Sequence, residues 1–146
     1  MKAAVVYYTF GGSTKKEAER IGAELDAPVY RVREARNRSF IGAFIPGGFQ
    51  AMKRKKPMIK PVDFDLAEYD RIYLGCPVWA AYPAPAFNAM LELLPSGKEV
   101  EVFLCAGGND SRESDAETRR LIEARGDTVT RLYTIPTGVM PGKLKE

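Results

Sequence analysis

The chain has 146 residues, 45% of them hydrophobic, a formal net charge of +3 and no histidine. That size and composition suit a single domain, residues 1–146, with a full core, and the slight charge gives no reason to expect a nucleic-acid partner. Without histidine there is no Ser-His or Cys-His nucleophile and no histidine metal site, and Cys76 and Cys105 are too few for a disulfide framework or a Cys-rich metal centre.

No apolar run is long enough to span a bilayer, and the N-terminus enters a strand without a signal-peptide pattern. A soluble, cytoplasmic protein with no membrane partner is therefore expected. Ala3 to Tyr8 is an apolar run too short for a helix and rich in strand formers, as for a strand buried on both faces. It gives way to Thr9-Phe-Gly-Gly-Ser-Thr14, where glycines free the backbone and hydroxyls and amides offer polar contacts. Ala18, Ile21, Gly22 and Leu25 then repeat at helical spacing, and Thr14 with Glu17 fits a capping box. Such a strand, turn and helix point amides and a helix dipole into the turn, a seat for phosphate. There is no GxxxxGK[ST] and no GxGxxG, which sets aside two familiar nucleotide loops.

Val29 to Val32 reads as an edge strand. From Arg33 to Asp63 the period is lost; a short helix is expected around Phe49–Met52, followed by Lys53, Arg54, Lys55 and Lys56 projecting into solvent, a solvated tip in preference to the alternative of a docking patch for an acidic partner. Arg71 to Cys76 reads as a third strand, running into a loop, Pro77–Pro85, rich in proline and aromatics. Phe87, Met90, Leu91 and Leu94 mark a helix that ends at Pro95. Glu99 to Cys105 is a fourth strand opening into Ala106–Ser111, Ser114 with Glu117 fits a second capping box, and Thr128 to Ile135 is the fifth strand. The cysteines end neighbouring strands and read as buried, reduced thiols.

Alternating strands and helices imply a parallel, doubly wound α/β sheet, whose ligands bind beyond the carboxyl ends of the strands. Three turns leave those ends: Thr9–Thr14, Pro77–Pro85 and Ala106–Ser111. One can hold phosphate, one presents Trp79 and Tyr82, and one supplies glycine amides and Asn109.

On these residues the sequence resembles the flavodoxin-like family of FMN-binding proteins. TFGGST stands where that family has [ST]-x-T-G-x-T, with Thr9, Gly12 and Thr14 matching and Gly11 in place of a threonine. YDRIYLGCPVWAAYPAPAF is similar to its third strand and flavin-facing loop, and CAGGND to its second flavin-facing loop. The resemblance implies a flavodoxin-like doubly wound sandwich with a five-stranded parallel sheet of order 2-1-3-4-5. It implies FMN as cofactor, its phosphate held by Thr9, Phe10, Gly11, Gly12, Ser13 and Thr14. Trp79 in the loop after Pro77 would stack on the isoalloxazine. Main-chain groups of Val78, Ala80, Gly107 and Gly108, beyond Ala106, would reach the ring's polar edge, bordered by Tyr82 or Asn109.

The implied function is electron transfer to a redox partner protein or small-molecule acceptor, with no catalytic acid, base or metal. Two alternatives stay open: an FMN-dependent NAD(P)H:quinone or related oxidoreductase, and an FMN-free interaction module on the same fold. Two features depart from the family. Its members are usually acidic, and here the final helix is expected to be missing or very short, since PTGVMPGKLKE is rich in proline and glycine. One sheet face, carrying Tyr73, Phe103 and Tyr133 among charges, is then solvated, covered by Arg33–Asp63, or buried in a homodimer.

Overall fold

The structure, a computed structural model, describes residues 1–36, 38–39, 47–108 and 110–137. Its elements run β1 (Ala3–Tyr7), α1 (Ser13–Leu25), β2 (Val29–Arg31), α2 (Gly47–Met52), β3 (Arg71–Trp79), β4 (Tyr82–Pro83), α3 (Ala86–Leu91), β5 (Glu99–Ala106), α4 (Arg112–Glu123) and β6 (Thr128–Pro136). The main sheet is parallel in the order β2-β1-β3-β5-β6. This is the expected order 2-1-3-4-5 once the two-residue β4, which pairs antiparallel with β3, is set aside.

Alternation along the strands divides the core in two. Ala4, Val6, Ile72, Leu74, Val100, Val102 and Leu104 form one face with Phe87 and Met90 of α3, Ile122 of α4 and Ala51 of α2. Full burial of Phe87, Met90 and Ile122 contributes roughly 1.5–3 kcal/mol apiece. Val5, Tyr7, Tyr73 and Phe103 form the other face with Ala18 and Ile21 of α1, and Tyr133 and Ile135 pack against it half-buried. Among the described residues, the 33–63 segment packs on the first face, through Ala51 and Ile59, so it does not cover the second. The segment expected to be short of a final helix, residues 138–146, lies outside the described residues.

Three local expectations are corrected. The run after Cys76 is not a loop: β3 continues through Pro77 to Trp79 and folds back at once into β4. Proline is tolerated there because β1 ends opposite Gly75, so the missing Pro77 N–H leaves no ladder bond to β1 unmade. Neither capping box forms. Gly12 caps α1 in a left-handed conformation (φ 105°) and Ser111 stands at the N-cap of α4, because Thr14 and Ser114 are both buried and turn their hydroxyls to tertiary partners. Arg54 does not project into solvent. Its Nε donates to Glu117 Oε1 at 2.7 Å and its Nη2 to Thr118 Oγ1 at 2.8 Å.

The cysteines are free, and both are buried. Cys76 pairs in register with Leu104 and Cys105 with Pro77, one step apart, so their side chains leave opposite faces of the sheet. They cannot form a disulfide with one another.

Candidate functional site

The carboxyl ends of β1, β3 and β5, neighbours in the sheet, bring the three turns to one rim. In the first, Thr9 is buried and its Oγ1 accepts the Gly12 N–H at 3.0 Å, which closes the turn onto the start of α1. Lys16 is the first residue of the helix to donate back, to the Gly12 carbonyl at 3.0 Å. Among the described residues the amides of Ser13, Thr14 and Lys15 have no hydrogen-bond partner, and the first turn holds no acidic side chain. This is an uncompensated positive helix end on a tight turn. Thr14 is fixed from below by Cys105, whose thiol it hydrogen-bonds; burial nonetheless pushes that thiol up to about 11.

The second turn is a two-residue hairpin. Val78 pairs with Pro83 and Trp79 with Tyr82, leaving Ala80 (φ 53°) and Ala81 (φ 69°) at its tip. Both alanines are left-handed, the geometry such a tight hairpin demands and one that normally selects glycine or asparagine. Each costs about 1 kcal/mol. The tip is held down from two sides: Ser114 Oγ donates to the Ala81 carbonyl at 2.8 Å, and the Arg54 guanidinium lies 5.3 Å above the Tyr82 ring.

Trp79 joins the first two turns, but as a buried residue, only 2% exposed. Phe10 and Tyr8 meet it edge-on, at centroid distances of 5.7 and 6.2 Å, and the Arg38 guanidinium lies 5.4 Å from its centroid. Arg38 is in turn held by Glu34, at 2.7 and 3.0 Å, and Glu34 also accepts the Tyr8 hydroxyl at 2.8 Å. The indole Nε1 is buried without a hydrogen-bond partner among the described residues. Phe10 and Tyr82, half-buried, are the aromatics that reach the rim surface.

In the third turn Ala106 is buried, Gly107 half-buried and Gly108 exposed, with nothing within 4 Å of where a Gly108 Cβ would stand. Asn109 lies outside the described residues. The rim thus gathers Thr9 to Thr14, Pro77 to Tyr82 and Ala106 to Gly108. Arg38, Arg54, Ser114 and Glu34 belong to it as well, and sequence reading missed them: the basic cluster around Arg54 reads as a solvated tip, and Ser114 as a helix cap. Among the described residues no cluster of metal-ligating side chains occurs, and no helix is long and apolar enough to cross a membrane.

A parallel sheet with this strand order, with a helix start of unpartnered amides on its first turn and an aromatic hairpin on its third strand, has the flavodoxin-like α/β fold. The solved structures it is similar to agree. A flavoprotein of Lactobacillus acidophilus NCFM in complex with FMN shares 24% identity with a TM-score of 0.75, over 91% of this chain and 92% of that one. Its apo form, solved by NMR, gives 23% and 0.72, over 93% of each. Two-electron reduced Megasphaera elsdenii flavodoxin gives 22% and 0.60, over 97% of this chain and 93% of that one. No protein-family model and no curated protein matches the sequence.

Proposed function

We propose that this protein is an FMN-binding flavoprotein that carries electrons between partners. The observation that carries the reading is the start of α1, where three amides without partners and no acidic side chain face a rim flanked by aromatics. The orphaned Trp79 Nε1 beside it fits a ligand with acceptor atoms. The FMN-bound flavoprotein of Lactobacillus acidophilus supports the reading through its shared fold.

Thr9 to Thr14 hold the phosphate through amides and hydroxyls, with the helix dipole in place of a lysine. The Pro77–Tyr82 hairpin and Ala106–Gly108 border the ring. Phe10, Trp79 and Tyr82 exclude water from it, and Ser114 keeps the Ala81 carbonyl in one orientation. FMN supplies the electron chemistry, so no side chain serves as acid or base. Passing a charge through a site walled by apolar and aromatic groups disfavours the more negative form of the ligand.

The test compares FMN with riboflavin, which lacks the phosphate. Quenching of flavin fluorescence should show FMN bound at least about tenfold more tightly than riboflavin, the share expected of charge-assisted contacts. Ser13→Glu places an acid at a helix start, where it does not harm the helix; it should weaken FMN about tenfold and leave riboflavin unchanged. A chain that binds neither flavin, or both equally, refutes the reading.

A further inference from the structure

Charge is distributed unevenly along this chain. Arg31 to Lys60 holds nine of the 22 basic residues and one of the 19 acidic ones, so that stretch carries a formal +8 and the rest of the chain −5. The basic stretch stands at the site's own rim. Residues 33–35 leave the carboxyl end of β2 and pair antiparallel with residues 58–60, with Ala35 N–H donating to Met58 O and Lys60 N–H to Arg33 O, both at 2.8 Å. Beyond it, a Cβ on Gly48 of α2 would stand 3.5 Å from the Ala80 Cβ, so α2 lies directly against the hairpin tip.

The outer side of this segment combines unpaired cations with bare apolar groups. Phe49 is 59% exposed, Met52 50% and Met58 81%. Three neighbouring cations are neutralised: Arg38 by Glu34, Arg54 by Glu117 and Lys56 by Glu92. Lys53 and Lys55 have no carboxylate partner among the described residues, and Lys53 Nζ lies 5.6 Å from the Phe49 ring centroid. A solvated tip requires the cations but not the three large apolar side chains between them. Apolar surface ringed by like charge is the composition of a protein-docking patch.

We propose that Phe49, Met52, Lys53, Lys55 and Met58 form a docking surface for an acidic protein partner, seated beside the Ala80–Ala81 hairpin. If the rim binds FMN, as proposed above, this partner is the one with which electrons are exchanged, and the inference rests on that reading only for the electron step. The positive pole steers the approach of a negative surface, and Phe49 and Met52 supply the dry contact at its centre.

The test is an NMR titration of the 15N-labelled, FMN-loaded protein with an acidic [2Fe–2S] ferredoxin, and in parallel with basic cytochrome c. With ferredoxin, amides of residues 47–58 and 80–82 should be perturbed, and the affinity should fall about tenfold between low and physiological ionic strength. Lys53→Glu with Lys55→Glu should weaken ferredoxin about tenfold, and Phe49→Ala about threefold. FMN affinity should stay the same in both variants, since these side chains are solvent-facing and outside the phosphate turn. Perturbations elsewhere, an equal response to cytochrome c, or indifference to the charge reversal overturns the proposal. Loss of FMN affinity with the lysines also overturns it, because the positive pole then serves the cofactor. Uptake of FMN is read by absorbance before either partner is added. A colourless chain refutes the flavin reading by itself, and the same titration on that chain still decides the docking surface.

Discussion

At Gly75 the ring of Phe103, from the adjacent strand, occupies the space where a Cβ would stand. Phe103 is fully buried between β3 and the second core cluster and has nowhere to swing. Gly75→Ala should therefore destabilise the fold by about 2 kcal/mol, the cost of overpacking a tight interior, read as a lower urea midpoint. The opposite sign applies at the hairpin tip. Ala80 and Ala81 are strained by their positive φ, and glycine relieves that strain while adding freedom to the unfolded chain. Ala81→Gly should leave stability unchanged or raise it by up to about 0.5 kcal/mol; a loss above about 1 kcal/mol would show that the alanine methyl matters more than the backbone.

The hairpin depends on elements far from it in sequence. Ser114 of α4 ties down the Ala81 carbonyl, and Arg54, just after α2, bridges Tyr82 to Ser114 O, Thr118 and Glu117. Ser114→Ala should cost about 1 kcal/mol and speed amide exchange at residues 80–82 relative to the β5 core. Uniform exchange at both places would mean the tip does not rely on that bond. These long-range ties explain what was legible in the sequence. Strand alternation and the helical spacing of Ala18, Ile21 and Gly22 report burial, which is a local pattern, and so both core faces could be read, whereas the sheet order follows only from the resemblance to the flavodoxin-like family. The three turns of the site could be read too, since glycine, proline and hydroxyl residues mark them. The hairpin could not: two alanines carry no left-handed signal, and Pro77 reads as a strand breaker unless it is known that β1 has already ended. Thr14 and Ser114 mislead for a related reason. A hydroxyl three residues before a glutamate looks like a cap until the fold supplies Cys105 or Ala81 as its partner.

Over the whole molecule, the two thiols make stability depend on pH from opposite sides of the sheet. Burial raises both well above the ordinary thiol value, Cys105 to about 11 and Cys76 further, because a thiolate in either core face would lose its hydration. A group whose folded pKa is raised contributes stability that is complete below the unfolded value near 9 and is lost as pH climbs towards the folded one. Unfolding then releases protons that the native chain retains, so the urea midpoint should be flat up to about pH 8.5 and fall between about pH 9 and 11. Each thiol adds at most about 1.4 kcal/mol per pH unit to that slope. Tyr69 and Tyr133 are pushed up to about 12, Tyr69 chiefly by its hydrogen bond with Tyr30 and Tyr133 by burial, so they steepen the fall only above pH 10. Cysteine therefore dominates the first unit of the decline. Cys76→Ala with Cys105→Ala should flatten the slope between pH 9 and 10 while preserving it above, and in the native protein at pH 8 neither thiol should react with a disulfide reagent until denaturant is added. Rapid labelling of the folded chain at that pH would show that the sheet opens at one of its faces far more readily than its packing implies.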